Sequence, residues 1–144
     1  MPILNYTTKV DVYTTTGQIQ GILVKHGAKR IVQDYDKDGK IVALCFLIDT
    51  PFGEQGVRLP ANVDAVYAVL QRQKVRCDYE QAERVAWRIV KDWVEAQMAI
   101  LESEMVSVCQ IFLPYIMDNE GQTIYQLFEN KQLLIGEVKP TFSN

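Results

Sequence analysis

The sequence predicts an α+β fold: an antiparallel sheet of three or four strands, flanking helices, and one long helix in the C-terminal half. From Tyr79 to Phe112 the chain contains neither Gly nor Pro, and its apolar residues recur in steps of three and four. Between Ala28 and Pro60, strand-like runs instead follow one another across short turns. A meander followed by helices is typical of the α+β class.

The N-terminal quarter predicts one edge strand and one short helix. Residues 3–12 alternate weakly between apolar and polar side chains, as an edge strand would. The hydroxyls of residues 14–16 can cap a helix that ends before Gly27, a suitable C′ residue. His26 lies at that C-terminus, where the helix dipole favours a cation, so a structural role is expected for it.

The meander is predicted over residues 29–35, 40–49 and 54–59. Its second run, KIVALCFLID, is apolar at both alternating sets of positions. This pattern predicts a central strand that is covered on both faces.

The remainder of the chain predicts three helices within the same single domain, residues 1–144. Asn62 can cap a helix over residues 63–73. The predicted segments are 1–75 for the sheet and two short helices, 79–113 for the long helix, and 118–144 for a turn at 118–122, a short helix at 124–129 and a tail at 136–144.

The long helix carries two apolar stripes, which require two partners. At about 1.5 Å per residue it would be roughly 45 Å long, against about 30 Å for a small domain, so it must kink, protrude or pair with another copy. We expect a homo-oligomer with Val90, Val94, Met98, Leu101 and Met105 of the second stripe as the candidate interface, and the periodicity leaves open which stripe packs within the chain. The first stripe is Ala82, Ala86, Ile89, Trp93, Ala96 and Ile100, and the second is Val90, Val94, Met98, Leu101, Met105 and Val108.

Composition and charge favour a cytoplasmic protein without a membrane segment. The 144 residues carry a net charge of -3, with 13 Lys and Arg against 10 Asp and Glu up to Lys91 and 2 against 8 from Asp92 onward. No apolar run reaches the roughly 18 residues of a membrane span, and the N-terminus lacks the order of a signal peptide. The three cysteines have no CxxC spacing that would indicate a disulfide framework or a zinc site.

The segment DYDKDGK resembles the first half of a calcium loop. Asp34, Asp36 and Asp38 occupy alternate positions before Gly39, but Cys45 stands where the closing bidentate Glu is needed. A hairpin turn with a solvated acidic tip explains the same residues, so we predict no metal site.

A basic and aromatic cluster could bind single-stranded nucleic acid or a nucleotide, with cations on phosphates and an aromatic ring against a base. The same helix face could instead be neutralised by the i,i+4 pairs Arg88 with Asp92 and Lys91 with Glu95. The candidate residues are Arg72, Lys74, Arg76, Arg84, Trp87, Arg88 and Lys91.

No catalytic constellation is apparent. Nucleophile-elbow, phosphate-loop and H-E-x-x-H patterns are all absent from the sequence, and His26 is the single histidine. We therefore predict a protein that is not an enzyme and that has no cofactor.

Three segments, NYTTKV, LPANVDAVYAVLQRQKV and RVAWRIVKDWVEAQMAILESEM, resemble a family of small uncharacterised proteins encoded by phages, prophages and other mobile elements of bacteria. The resemblance spans most of residues 3–130. It implies expression in the cytoplasm of a bacterial host and a role in handling phage nucleic acid, blocking a host defence protein or capturing a defence nucleotide. The expected function is thus non-enzymatic binding of a host or phage macromolecule.

Overall fold

The structure, a computed structural model, describes residues 1–130. Three antiparallel strands and five α-helices confirm the α+β class for this part of the chain. The predicted tail at residues 136–144 lies outside the described residues. The elements are α1 (Val12–Lys25), β1 (Lys29–Tyr35), β2 (Ile41–Thr50), β3 (Gly53–Pro60), α2 (Val63–Arg72), α3 (Tyr79–Glu102), α4 (Val108–Phe112), a 3₁₀ turn (Leu113–Tyr115) and α5 (Ile124–Glu129).

The segment before α1 is not a strand, so the prediction for residues 3–12 was wrong. Asn5 adopts a left-handed conformation (φ 64°), which interrupts any extended backbone. Its side-chain amide donates to Asp92 of α3 at 2.7 Å. Helix α1 then begins after Asp11, whose carboxylate accepts from the Thr14 amide at 2.8 Å. The cap is therefore a carboxylate, which binds the free amides of a first turn as a hydroxyl would.

The sheet has the order β1-β2-β3, so β2 is central as predicted. Its two outer edges differ. On β3, Ile116 forms a bridge with Val57, and the Met117 amide donates to the Gly56 carbonyl at 2.8 Å. On β1, the register shifts around Arg30, which has φ 51°. Such a bulge with basic residues is a common feature of an open sheet edge.

The helices cover one face of the sheet, and a single core forms there. Phe46 of β2 meets Phe112 of α4 edge to face at 5.5 Å, and Phe112 meets Trp93 of α3 at 5.9 Å. On the opposite face, Cys45 is half-buried and the adjacent Val32 is 54% exposed. The prediction that β2 is covered on both faces is therefore met only in part within residues 1–130, because the helices pack on the face of Phe46, whereas on the other face Ala43 is buried but Cys45 and Leu47 are half-buried.

The long helix ends ten residues before the predicted Phe112. Helix α3 stops at Glu102, and Glu104 takes a left-handed conformation (φ 62°). A new helix, α4, begins after Ser107, which shares a capping box with Gln110. Serine side chains compete for backbone groups and so end helices without Gly or Pro. The sequence allowed a kink, a protrusion or pairing with another copy, and in the structure the apolar pattern is interrupted by a break at this link.

His26 joins the C-terminal ends of α1 and α3. Its Nδ1 lies 2.9 Å from the Ile22 carbonyl oxygen, and its Nε2 lies 2.8 Å from Glu102 Oε1. Both partners are acceptors, and only the protonated ring carries an N–H on each nitrogen. The Ile22 carbonyl, and after it Glu102, therefore raise the pKa of His26 above 6.5.

We predict that Phe112→Ala lowers the free energy of unfolding by about 3–5 kcal/mol, because the side chain is 1% exposed and a cavity would remain. Leu113→Ala, at a residue that is 52% exposed, is the matched control and should change it by less than about 0.5 kcal/mol. Urea denaturation measures both values. Similar effects of the two changes would mean that α4 does not pack as described.

We predict that the His26 pair stabilises the fold at low pH and loses its effect as pH rises. Because the folded-state pKa lies above the unfolded value of about 6.5, the contribution is complete below pH 6.5 and disappears through the folded pKa. The difference in unfolding free energy between the wild type and His26→Gln should therefore shrink between pH 6 and pH 9. A constant difference would exclude protonation as the source of the stabilisation.

Candidate functional site

Trp87 cannot stack on a nucleic-acid base, because its side chain is completely buried in the core. Its indole Nε1 is also buried and has no hydrogen-bond partner in the described part of the chain. The aromatic member of the predicted nucleic-acid site was therefore assigned wrongly. Trp87 and Arg88 are consecutive on the helix and so lie on different faces, which lets the tryptophan face the core while the arginine reaches the surface.

The three basic residues of α3 are already engaged within the chain. Arg84 donates to Gln81 at 2.9 Å, Arg88 donates to Gln18 of α1 at 2.7 Å, and Lys91 pairs with Glu95 as the spacing predicts. Arg88 does not pair with Asp92 as expected, since Asp92 accepts from Asn5 instead.

The other three basic residues of the predicted site are exposed. Arg72 ends α2, and Lys74 and Arg76 follow it in the link to α3. Trp87, the aromatic residue predicted to act with them, is buried in the core. The predicted cluster therefore does not form one continuous surface.

The predicted oligomer interface faces inward. Val94 and Met98 are 0% and 3% exposed, and Val90 and Leu101 pack partly buried against the same core. Met105 is 72% exposed but lies beyond the end of α3. In this fold the second stripe is intramolecular, so it was wrongly assigned to a partner, because α1 and α4 cover the face that an isolated helix would present.

The C-terminal half of the first stripe is accessible, although Ala82 and Ala86 at its start are buried. Trp93 and Ile100 line a groove of about 390 Å³, which Pro114 and Tyr115 bound on the other side. The rings of Trp93 and Tyr115 meet edge to face at 5.8 Å. Self-association stays a prediction, and it would have to use a surface such as this one.

The acidic hairpin between β1 and β2 is organised as a turn. Asp36 accepts from the amides of Asp38 and Lys40, each at 2.9 Å, and Gly39 has φ 76°. Asp34 points away from the turn and pairs with Arg58 of β3. Among residues 1–130, no group of three or more His, Cys, Asp and Glu side chains could hold a metal ion.

A cleft opens where this hairpin turn meets the first turns of α1 and α3. It consists of two adjoining cavities of about 310 and 190 Å³, and both contain Lys40, Ile41 and Glu83 in their walls. The larger is also bounded by Asp11, Tyr13, Asp38, Glu80 and Arg84, and the smaller by Asp36, Asn62, Asp64 and Tyr79. Pockets for drug-sized ligands measure roughly 300–1,000 Å³, so the larger cavity is at the lower end of that range and the smaller one suits a single side chain or a small group.

Glu83 is the central residue of the cleft. It is only 6% exposed, although carboxylates are rarely buried without full hydrogen bonding. Its Oε1 is buried and has no hydrogen-bond partner among the described residues. The nearest cation, Lys40 Nζ, lies 3.4 Å away and forms an ion pair without hydrogen-bond geometry. The carboxylate therefore retains an unused capacity to accept.

The charge of the cleft favours a cation. Its walls carry six carboxylates, those of Asp11, Asp36, Asp38, Asp64, Glu80 and Glu83, against the two cations Lys40 and Arg84. The backbone amide and hydroxyl of Thr14 lower the pKa of Asp11, which keeps that carboxylate ionised. Walls of one sign concentrate ligands of the opposite sign.

Tyr79 supplies a fixed aromatic wall to the smaller cavity. Its hydroxyl donates to Asp64 at 2.7 Å, and its ring meets Tyr67 edge to face at 5.5 Å. The hydrogen bond to Asp64, with burial and the charge of Asp64, raises the pKa of Tyr79 to about 12. The phenol therefore stays neutral, and its ring can contact a cation.

Among the cleft residues, Arg84 belonged to the predicted basic cluster, and Asp36 and Asp38 were weighed as calcium ligands, but Glu83 and Lys40 were not site candidates. A signal was present, because Glu83 falls among Ala82, Val85 and Ala86, which face the core. An acidic residue inside a buried stretch of a helix indicates either an ion-pair partner within the chain or a ligand-binding site. Sequence spacing alone could not predict that Lys40 lies next to Glu83, because this contact depends on how the hairpin packs against α3.

Comparisons of the chain with protein-family models, curated proteins and solved structures found no match. The resemblance to phage-encoded proteins therefore stays a prediction. Within residues 1–130, none of the helices combines the length and the hydropathy that a membrane crossing requires.

We predict that Glu83→Met leaves the free energy of unfolding unchanged or raises it by up to about 1 kcal/mol. Replacing a buried charge with an apolar group of similar size removes its desolvation penalty, and the half-exposed Lys40 can turn to solvent. Urea denaturation measures the change. A loss above about 2 kcal/mol would show that Glu83 is kept for stability instead of binding.

Proposed function

We propose that this protein is a non-enzymatic binding protein that captures a basic side chain of a partner protein in the Glu83 cleft. The observation that carries the proposal is the buried Glu83 carboxylate, whose Oε1 lacks a hydrogen bond while the residue borders two cavities. A partner that supplies an N–H donor there would satisfy this oxygen. Because a buried unsatisfied acceptor is unfavourable by about 1–3 kcal/mol, satisfying it on binding is a direct source of affinity.

The surroundings of Glu83 support a protein partner over a nucleic acid. Phosphates would meet the acidic rim formed by Asp11, Asp38 and Glu80, whereas lysine or arginine side chains would be attracted to it. The volume of the smaller cavity, about 190 Å³, also suits a single side chain. Trp87 gives no stacking surface, so the nucleic-acid alternative retains exposed cations such as Arg72 and Arg76 and the ring of Tyr79.

The biological setting of this proposal comes from the sequence resemblance. In a bacterial cell that expresses a phage or prophage gene, the partner would be a host or phage protein with an exposed basic segment. Blocking a host defence protein is one such role, and it requires binding without catalysis.

We predict that a basic peptide, acetylated and amidated, in which Arg and Lys alternate with Gly and Ser, binds the wild-type protein with an affinity that falls as salt is raised. Glu83→Gln should weaken binding at least about tenfold, or about 1.4 kcal/mol, because the amide removes the charge and one acceptor position. Isothermal titration calorimetry measures both affinities.

Glu95→Gln is the matched control, since it removes the same unit of charge from α3 outside the cleft. It should change affinity less than about twofold, as expected for a distant exposed charge. Equal losses of affinity in the two variants would show that binding depends only on the net charge of the protein, which would contradict the proposal. Absence of peptide binding at low salt, together with salt-dependent binding of a single-stranded oligonucleotide, would favour the nucleic-acid alternative.

A further inference from the structure

We infer that the cleft selects an arginine guanidinium over a lysine ammonium, and that Lys40 makes the selection by occupying the Glu83 carboxylate until a guanidinium displaces it. This inference rests on the proposed function and names the chemical group that the cleft binds.

Lys40 competes for the carboxylate oxygen. Glu83 Oε1 is shielded from solvent, and the Lys40 ammonium lies 3.4 Å from it. A ligand cation that binds this oxygen would therefore compete with the protein's own cation. The Lys40 backbone is held by the bond from its amide to Asp36, at 2.9 Å, whereas its side chain is 42% exposed. The side chain can swing into solvent without opening the turn.

The exchange favours a guanidinium for three physical reasons. A ligand ammonium would offer Glu83 the same kind of group as Lys40. Lys40 is tethered to the site by its own chain, so it has a higher effective concentration there and the free ammonium is at a disadvantage. A guanidinium presents parallel N–H donors that match a carboxylate, so it can supply the hydrogen bond that Lys40 does not make. It is also less strongly hydrated than an ammonium, so burial opposes its entry less.

The smaller cavity has the shape and walls that a guanidinium needs. Tyr79 contributes a ring whose position is fixed by Asp64 and Tyr67, and planar guanidinium groups stack on such rings. The carboxylates of Asp36 and Asp64 border the same cavity and can accept from the remaining N–H groups. Its volume of about 190 Å³ leaves room for one side chain and excludes a nucleotide-sized group.

The test uses two acetylated and amidated peptides that are identical except for one position, Arg in one and Lys in the other. The wild-type protein should bind the Arg peptide at least about tenfold more tightly, which corresponds to about 1.4 kcal/mol. In Lys40→Met, which keeps the apolar stem but removes the internal cation, the Lys peptide should bind more tightly, and the preference should fall below about threefold.

The outcomes separate the inference from the proposal on which it rests. Equal wild-type affinities for the two peptides would overturn the guanidinium selection while leaving the basic-side-chain site intact. Failure of both peptides to bind would overturn the proposed function itself. A preference that persists unchanged in Lys40→Met would remove Lys40 from the selection.

A second measurement does not depend on the folding of the variant. In wild-type protein with ¹³C-labelled lysine, the Lys40 Cε resonance should shift when the Arg peptide is added, because the ammonium leaves Glu83 for solvent. The Lys peptide should leave that resonance nearly unchanged at the same concentration. An unmoved Lys40 signal at saturating Arg peptide would contradict the displacement.

Discussion

The burial of helix α3 on several sides is the constraint on which the rest of the fold depends. A three-stranded sheet with one covered face offers too little apolar area to hold a chain of this length, so α3 must also serve as the surface on which α1 and α2 pack. Small residues such as Ala82 and Ala86 bring these elements close, and Trp87 fills the space between them. The same crowding leaves Glu83 almost no access to solvent, which is why a single carboxylate at this position has so large an effect on the local chemistry.

Much of the fold could be predicted from the sequence, because most of its elements are specified locally. The three strands, α2 and α5 follow from hydrophobic periodicity and nearby caps, and Asn62 and Thr123 act on their own helices. The wrong predictions fall where short polar residues determine the local backbone conformation. Asn5 in a left-handed conformation removed the predicted first strand, and Ser107 started a new helix within an apolar pattern that continues without a break.

The cleft was less predictable than the fold because it is a product of packing between distant segments. Lys40 is on a hairpin turn and Glu83 is on α3, and nothing in the spacing of either segment indicates the other. The basic residues of α3 were visible as a pattern, yet their roles depend on neighbours such as Gln18 that only the folded chain supplies. Helical periodicity also identified two apolar stripes without stating which one the chain itself would cover. The answer depends on α4, whose Val108 and Phe112 line the same small cavity as Met98 and Leu101 of the second stripe.

The unequal edges of the sheet limit how copies of this protein could grow into larger assemblies. Strand-to-strand polymerisation needs a free edge at each end of the sheet, so that every added copy exposes a new edge for the next. Here the bridge from Ile116 to Val57 occupies only part of the β3 edge, whereas the outer side of β1 has no strand partner within the described residues. The bulged β1 edge and the partly bridged β3 edge are thus unequal templates for strand addition. This inequality disfavours the repeated edge-to-edge pairing that fibre growth needs, even though Val32 is exposed on the half-open sheet face.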